Sequence, residues 1–229
     1  MKKIVAMLLA VLMVCSIGAA LADTFNVGDY VYFGHYEQDN NLNDGDERIR
    51  WLVIKTEGNK LFLLSEKGLE KHQWNERSDG SMWADSAIRR WLNSDFLYTA
   101  FTYSEQQSIF TTTVEDTLAH SNRNWNSGLR YGDITYDKVF LLSYKEMNEL
   151  VSPRDRYCEP SQYVIKKRIA MGSHAGKKTC WYWLRTSAFR NNAGVISETN
   201  GGFETCYIHH TFGVVRPAIW VDASAVSRY

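Results

Sequence analysis

Three cysteines are the residues whose chemistry stands out in this sequence. Cys158, Cys180 and Cys206 lie in the second half of the chain, while Cys15 lies near its start. Disulfides are the default state of such cysteines in an exported protein, and the N-terminus considered below indicates export. We predict a Cys158–Cys180 disulfide, because this bond would hold the connection leading into an apolar, aromatic segment that begins at Cys180. Cys206 would then be free or would bond a second chain.

Two other states of these cysteines are open. All three thiols can be reduced and partly buried, since a free cysteine behaves as a small apolar residue. Alternatively, the three thiolates and one of His174, His209 or His210 can form a zinc site. The close Cys-x-x-Cys spacing that usually marks such a site is absent. We therefore predict no metal and no cofactor.

Catalytic motifs are absent from the sequence. It contains no Gly-x-Ser-x-Gly, no His-Glu-x-x-His, no Gly-x-Gly-x-x-Gly and no Walker motif. The 26 acidic residues are too many for a carboxylate pair to be informative. We predict a non-enzymatic binding module. The alternatives are a metal- or cysteine-dependent enzyme and a purely structural or interaction domain.

Aromatic and amide side chains support the binding hypothesis. Tryptophan and tyrosine recognise ligands through rigid apolar faces with polar edges, and asparagine adds adaptable hydrogen bonds. Most of the relevant residues lie in the polar stretch Phe189 to Thr211, which we predict to be a display loop. The candidate ligand-binding residues are Trp125, Phe189, Asn191, Asn192, Asn200, Phe203, Glu204 and Tyr207. The expected partner is a carbohydrate, a cell-wall component or a protein.

Two apolar segments flank this stretch and are predicted to be buried strands. They run from Cys180 to Ser187 and from Phe212 to Val221, and both are rich in aromatic and β-branched residues. Strand alternation places Trp181 and Trp183 on the same face, where we expect both to be buried.

Each of these segments carries one arginine, and we assign both arginines a structural role. A buried guanidinium is costly unless it is paired. We therefore expect Arg185 and Arg216 each to bind a carboxylate or backbone carbonyls. Pro217 follows Arg216 and belongs to the same structural set.

The remaining pattern predicts short strands, short helices and long loops. Alternation and turn residues predict strands, apolar spacing of three and four predicts a helix, and capping boxes predict two more. The elements are strands over Val27–Tyr36, Ile49–Lys55, Lys60–Ser65 and Val139–Ser143, and helices over Trp83–Asn93, from Ser104 and from Ser143. The acidic loop Glu37 to Asp46 lacks EF-hand spacing and is predicted to be an exposed turn. Such mixing favours an α+β fold.

The first 22 residues have the pattern of a signal peptide. Lys2 and Lys3 precede the apolar run Ile4 to Ala19, and Ala20-Leu21-Ala22 matches a cleavage site. The alternative is a retained membrane anchor, for which the run is short. We predict a secreted protein with one domain over residues 23–229. Its net charge of −2 after cleavage indicates neither a nucleic acid nor a membrane surface as partner.

Several ordered motifs resemble an uncharacterised bacterial family, the domain of unknown function numbered 6273. The motifs are Trp-x-Trp-Leu-Arg-Thr at residues 181–186, Val-Arg-Pro-Ala-Ile-Trp at 215–220, and the segments at 28–38, 49–53, 88–93 and 137–143. The closing Gly-x-x-Arg-Pro also resembles C-type lectin-like and formylglycine-generating-enzyme-like domains. This likeness implies a C-type lectin-like frame with short antiparallel strands and two or three short helices. The cysteine pair of formylglycine-generating enzymes has no counterpart here, so their activity does not carry over.

Overall fold

Short β-strands make up most of the structure, a computed structural model. It describes residues 25–76, 80–116, 118–119, 132–188 and 191–228, of which 118–119 are described by backbone alone. The strands in chain order are β1 (Tyr30–Tyr36), β2 (Glu47–Glu57), β3 (Lys60–Ser65), β4 (Lys67–Gly68), β5 (Glu70–Lys71), β6 (Thr112–Val114), β7 (Leu118–Ala119), β8 (Thr135–Asp137), β9 (Val139–Phe140), β10 (Glu159–Pro160), β11 (Met171–His174), β12 (Lys177–Cys180), β13 (Tyr182–Ala188), β14 (Asn192–Ile196), β15 (Phe203–Tyr207), β16 (Val214–Val215), β17 (Ala218–Asp222) and β18 (Ser227–Arg228).

Short helices connect the strands. They are α1 (Ala87–Trp91), α2 (Leu97–Ala100), α3 (Tyr103–Ser108), α4 (Tyr144–Leu150) and α5 (Gln162–Lys166), with a π-helical turn over Leu92–Phe96 joining α1 to α2. The predicted helix therefore begins at the N-cap Ser86 and continues to Ala100. Helices α3 and α4 begin with capping boxes, as predicted. The α3 box, however, is formed by Thr102 and Glu105 and not from Ser104.

The first sheet contains six antiparallel strands in the order β18-β1-β2-β3-β17-β9. Its centre is the predicted hairpin β2–β3, which turns at Gly58 with φ of 60°. Glycine populates this left-handed region without steric cost, which permits the tight turn. Strand β17 lies between β3 and β9, so a strand from near the C-terminus extends the sheet begun by the first three.

The second sheet has the order β15-β14-β13-β16-β5, and β7 also pairs with β13. Strand β13 is antiparallel to β14 but parallel to β16 and β7. The expectation of antiparallel strands alone is therefore wrong for this sheet. The hairpin β14–β15 lies between β13 and β16 in the sequence. After this hairpin the chain returns to β13 and pairs with it as β16, which runs in the same direction as β13.

The closing segment crosses from one sheet to the other. The sequence predicts one strand from Phe212 to Val221, but β16 belongs to the second sheet and β17 to the first. Arg216 and Pro217 form the two-residue link between them. Proline has no N–H for a strand ladder, which accounts for the interruption at this point.

Both sheets and the helices enclose one apolar core, in a single-domain mixed α/β structure with many short strands and few helices. Trp181 and Trp183 are 7% and 0% exposed, as the alternation predicts, and their ring centroids are 5.0 Å apart. None of the helices in the described part of the chain is long and apolar enough to cross a membrane. The predicted signal peptide, residues 1–22, lies outside the described residues.

Candidate functional site

The stretch predicted to be a display loop contains two β-strands. Strands β14 and β15 occupy it and form a hairpin with the register Asn192↔Tyr207 and Ile196↔Phe203. The prediction of a long loop is therefore wrong, because the polar composition comes from turn residues and from the half-exposed strand β15. Trp125 and Phe189 lie outside the described residues.

The described candidates do not converge on one surface. Phe203 and Tyr207 lie at opposite ends of β15, roughly 14 Å apart at strand spacing. Phe203 packs edge-on against Tyr144 with the ring centroids 4.4 Å apart, and Arg156 lies 4.9 Å above its ring. Glu204 lies between the two ends and is exposed.

The three asparagines belong to the turns and edges of the hairpin. Asn191 has φ of 60° in the turn before β14, where its carbonyl accepts from Ile208 N at 3.1 Å. Asn192 begins β14, and Asn200 Oδ1 accepts from Gly202 N at 2.7 Å in the next turn. These contacts give the asparagines local structural roles.

A groove that the sequence did not reveal lies beside helix α1. It has two adjoining lobes of about 720 and 320 Å³, which share His72, Glu76 and Ala87. We call it the Trp91 groove, since the half-buried indole of Trp91 lines the larger lobe. The ring centroids of His72 and Trp91 are 4.9 Å apart at an interplanar angle of 31°, so the two rings are in contact and together form an aromatic part of the groove's surface.

Hydrogen bonds between the start of α1 and the preceding segment position this surface. Asn75 Oδ1 accepts from Ala87 N at 2.7 Å, and Ile88 N donates to Trp74 O at 3.1 Å. Ile88 and Leu92 are buried, which anchors the inner side of the helical segment in the core. Trp91 lies at the margin of that inner side and is therefore only half-buried.

Three exposed carboxylates line the larger lobe: Glu76, Asp85 and Asp95. None of the three makes an ion pair or a side-chain hydrogen bond with another described residue. Within the described part of the chain, their oxygens therefore have acceptor capacity left beside an aromatic surface. Such an arrangement suits a ligand that combines hydroxyl donors with apolar C–H faces.

The smaller lobe extends the groove toward the residues that follow β15. Lys71 and Thr211 line it, and the Lys71 ammonium lies 5.1 Å from the ring centroid of Phe212, which is 41% exposed. The ring of His210 in turn contacts those of Phe212 and Trp181, with centroids 5.4 and 5.5 Å away. One exposed aromatic side chain, that of Phe212, thus adjoins this end of the groove.

The predicted disulfide is not formed. Cys158 and Cys180 are brought together as an isolated antiparallel bridge, and both are buried. They are free thiols, and Cys180 Sγ donates to Cys158 O at 3.5 Å. Burial raises the pKa of the Cys180 thiol well above its ordinary value, which favours the protonated donor. Cys206 is a third free thiol, half-buried on β15.

One group of acidic side chains has metal-ligand spacing among the described residues. The carboxylate oxygens of Glu37, Asp39 and Glu47 lie within 4.8 Å of one another. Loop amides occupy them: Glu47 Oε2 accepts from Gln38 N at 2.6 Å, and Glu37 Oε1 accepts from Asn40 N at 2.6 Å. We interpret this group as the closure of the β1–β2 turn.

The two arginines have the structural partners expected of them. Arg185 Nη1 forms an ion pair with Glu146 and donates to Leu141 O at 2.8 Å. Arg216 Nε donates to Ser65 O at 2.9 Å. Pro217 O accepts from Ser65 N at 3.0 Å, so the sheet-crossing link is held to the end of β3.

Comparison with known families assigns the chain. A family model described as Domain of unknown function (DUF6273) matches residues 58–223, more than half of the 229-residue chain. The chain belongs to this family. The resemblance inferred from its motifs is thus confirmed. Searches of curated proteins and of solved structures found no match.

The DUF6273 match contains every groove residue named above, as well as the three described cysteines. Strands β1 and β2 both precede the matched segment, yet both pair into the first sheet. In this chain the DUF6273 domain therefore includes a hairpin upstream of the matched residues.

Proposed function

We propose that this DUF6273 domain is a secreted carbohydrate-binding module and that the Trp91 groove holds the saccharide. The observation that carries the proposal is the contact between the rings of His72 and Trp91 beside three carboxylates that have no partner among the described residues. A sugar ring has one apolar C–H face and a rim of hydroxyls. The aromatic surface matches the face, and the carboxylates match the rim.

The two lobes of the groove favour a chain of sugars over a single one. Its two lobes run from Asp95 to Thr211, and the ring of Phe212 adjoins the far end. Two separated aromatic contacts suit successive units of a polysaccharide. The π-helical turn that carries Ser94 and Asp95 adds support, because such turns are rare and occur frequently at functional sites.

The C-type lectin-like frame and the extracytoplasmic location are part of the same proposal. Support for the frame comes from the closing Gly213-x-x-Arg216-Pro217 segment, and support for export comes from residues 1–22. An experimental structure superposed on C-type lectin-like domains tests the frame. Fractionation of the host cell tests the location.

Sedimentation with insoluble polysaccharides tests binding. Cellulose, chitin and peptidoglycan are incubated separately with residues 23–229, which distinguishes plain glucans from cell-wall glycans. We expect the wild-type protein to sediment with at least one of them and Trp91→Ala to lose about tenfold or more in affinity, as for an aromatic anchor. Tyr98→Ala is the matched control, since Tyr98 is 70% exposed and lies outside the groove.

Neutral isosteres of the carboxylates provide a second test that leaves the core intact. The variant Glu76→Gln/Asp85→Asn/Asp95→Asn should bind more weakly at an unchanged melting temperature. The control Glu57→Gln/Asp133→Asn/Glu149→Gln removes the same charge from exposed positions outside the groove. Equal binding by both triple variants, or by Trp91→Ala and Tyr98→Ala, would overturn the proposal.

A further inference from the structure

A second concave site lies apart from the Trp91 groove and shares no lining residue with it. It is a cavity of about 520 Å³, which we call the Arg216 cavity. Arg216 is 3% exposed and is a lining residue. The β11–β12 hairpin and the segment that ends in β10 supply much of the rest of the lining.

Arg216 is buried and has no carboxylate partner among the described residues. Its Nε donates to Ser65 O at 2.9 Å, and its Nη1 donates to Asp155 O at 2.9 Å and to the Tyr182 hydroxyl at 3.1 Å. All three acceptors are neutral, and no described carboxylate lies within ion-pair distance. Its Nη2 donates to none of the described residues. A buried charge of this kind is costly unless an anion compensates it.

The cavity carries an excess of positive charge. Five of its lining residues are lysine or arginine and three are acidic. Two of the acids are already paired, Glu66 with Arg50 and Glu159 with Lys177. Lys67 and Arg154 line the cavity and make no ion pair with a described residue. These two cations therefore surround the same space as Arg216.

A further donor and an aromatic wall complete the site. The Nε of Arg50, another lining residue, is buried without a hydrogen-bond partner among the described residues. Tyr157 and His174 stack with ring centroids 3.6 Å apart and an interplanar angle of 12°. The cavity thus offers unused cationic donors on one side and flat rings on another.

We propose that the Arg216 cavity binds the oxyanion of a small organic ligand, a carboxylate or a phosphate ester. The oxyanion accepts from Nη2 of Arg216 and compensates its buried charge, while Lys67 and Arg154 add attraction at the rim. Charge-assisted hydrogen bonds from guanidinium groups to such oxygens are among the strongest in proteins. The remainder of the ligand packs against the Tyr157–His174 stack. The site is independent of saccharide binding in the Trp91 groove.

Thermal melting of residues 23–229 tests the proposal with two probes, sodium phosphate and sodium acetate. Each is titrated against sodium chloride at constant ionic strength and neutral pH. A ligand that binds the folded state raises the melting temperature with its concentration. Stabilisation by phosphate alone identifies a phosphate site, and stabilisation by acetate alone identifies a carboxylate site. No stabilisation beyond that of chloride by either probe overturns the proposal.

A charge-matched pair of variants separates the cavity from general attraction of anions. The active probe is the anion, phosphate or acetate, that stabilises the wild-type protein. Lys67→Gln/Arg154→Gln should bind it about fivefold to tenfold more weakly, which is the loss of affinity expected for one charge-assisted hydrogen bond. Lys145→Gln/Lys166→Gln removes the same charge from exposed positions outside the cavity and should bind as the wild type does. An equal loss in both variants overturns the proposal.

Localisation on the wild-type protein avoids the risk that Arg216 variants fail to fold. In nitrogen–proton correlation spectra, the active probe should shift the amides of Lys67, His174 and Thr179, which line the cavity. The amide of Trp91, in the groove, should not move. Shifts confined to residues outside the cavity contradict the assignment.

Discussion

Gly213 lies against the indole nitrogen of Trp183. A Cβ built on the glycine would be 1.9 Å from Trp183 Nε1, and that nitrogen donates to His72 O at 2.9 Å. The contact fixes the chain just before β16 onto the most buried tryptophan of the closing motifs. It also explains why a residue without a side chain precedes the sheet-crossing segment.

Gly213→Ala should therefore destabilise the domain by about 3 kcal/mol or more, since no flexible side chain can move aside. Urea unfolding measures the loss. Gly58→Ala is the control, because Gly58 also has a special conformation but has no neighbour within 4 Å. Its cost should be only about 1–2 kcal/mol, from the left-handed backbone. Similar losses for both alanines would show that the Trp183 contact is loose.

Glu146 should matter more than its exposure suggests. It caps helix α4 and is the ion-pair partner of Arg185, which is 6% exposed. Glu146→Gln keeps a capping side chain but leaves the buried guanidinium uncompensated, for which we expect a loss of about 3 kcal/mol. Glu105→Gln alters the capping box of α3, where no arginine is paired. It should cost about 1 kcal/mol or less by thermal melting, and an equal loss in the two variants would contradict the role given to Arg185.

Asp116 should make stability depend on pH. Its burial raises its pKa from 3.8 to about 6, although hydrogen bonds from Ser187 and Trp83 oppose the shift. Because the pKa of Asp116 is higher in the folded state than in the unfolded state, protonation of its carboxyl stabilises the fold. This stabilisation is complete below about pH 4 and is lost as the pH rises through about 6. The free energy of unfolding of the wild type should fall by about 2–3 kcal/mol over that pH range relative to that of Asp116→Asn. Parallel stability curves for the two proteins would show that folding does not raise the pKa of Asp116.

The thiols should report their burial directly. Cys158 and Cys180 are 0% and 1% exposed, whereas Cys206 is half-buried. A thiol reagent should modify only Cys206 in the native protein and all three thiols of residues 23–229 after denaturation. Burial raises the pKa of Cys206, so its reaction should accelerate as the pH rises. Cys206→Ser should abolish the native signal, and a single reactive thiol after denaturation would reveal a disulfide.

Export should leave a defined N-terminus. The charged start, the apolar run and Ala20-Leu21-Ala22 predict cleavage after Ala22. N-terminal sequencing of protein recovered outside the cytoplasm should read Asp-Thr-Phe-Asn. Recovery of a chain that retains Met1 would instead indicate a membrane anchor.

Local patterns predicted the parts of the fold that depend on neighbouring residues. The β2–β3 hairpin, the capping box of Ser143 and the shared face of Trp181 and Trp183 each follow from spacing within a few residues. Strands β14 and β15 were missed because their turns are rich in asparagine and glycine, and because β15 lies at the end of its sheet with its residues only half-buried or exposed. Such a strand needs little apolar alternation.

The candidate site was harder to predict, since it depends on contacts between distant segments. Trp91 belongs by spacing to the same apolar stripe as Ile88 and Leu92, which predicts burial for all three. Only the packing of His72 beside it shows that Trp91 lies at the edge of the core. Arg216 was correctly expected to bind carbonyls, but the cavity it lines is formed by segments from across the whole chain.

The position of β17 between β3 and β9 has a consequence for biosynthesis. Roughly 150 residues separate Ser65 at the end of β3 from Ala218 at the start of β17. At about 5–20 residues per second, the ribosome needs roughly 8–30 s to make them. For that time the β3 edge has no β17 to pair with, and an unpaired edge invites association with other chains. A chain that lacks β17 would therefore expose the β3 edge and should aggregate more readily than the whole domain.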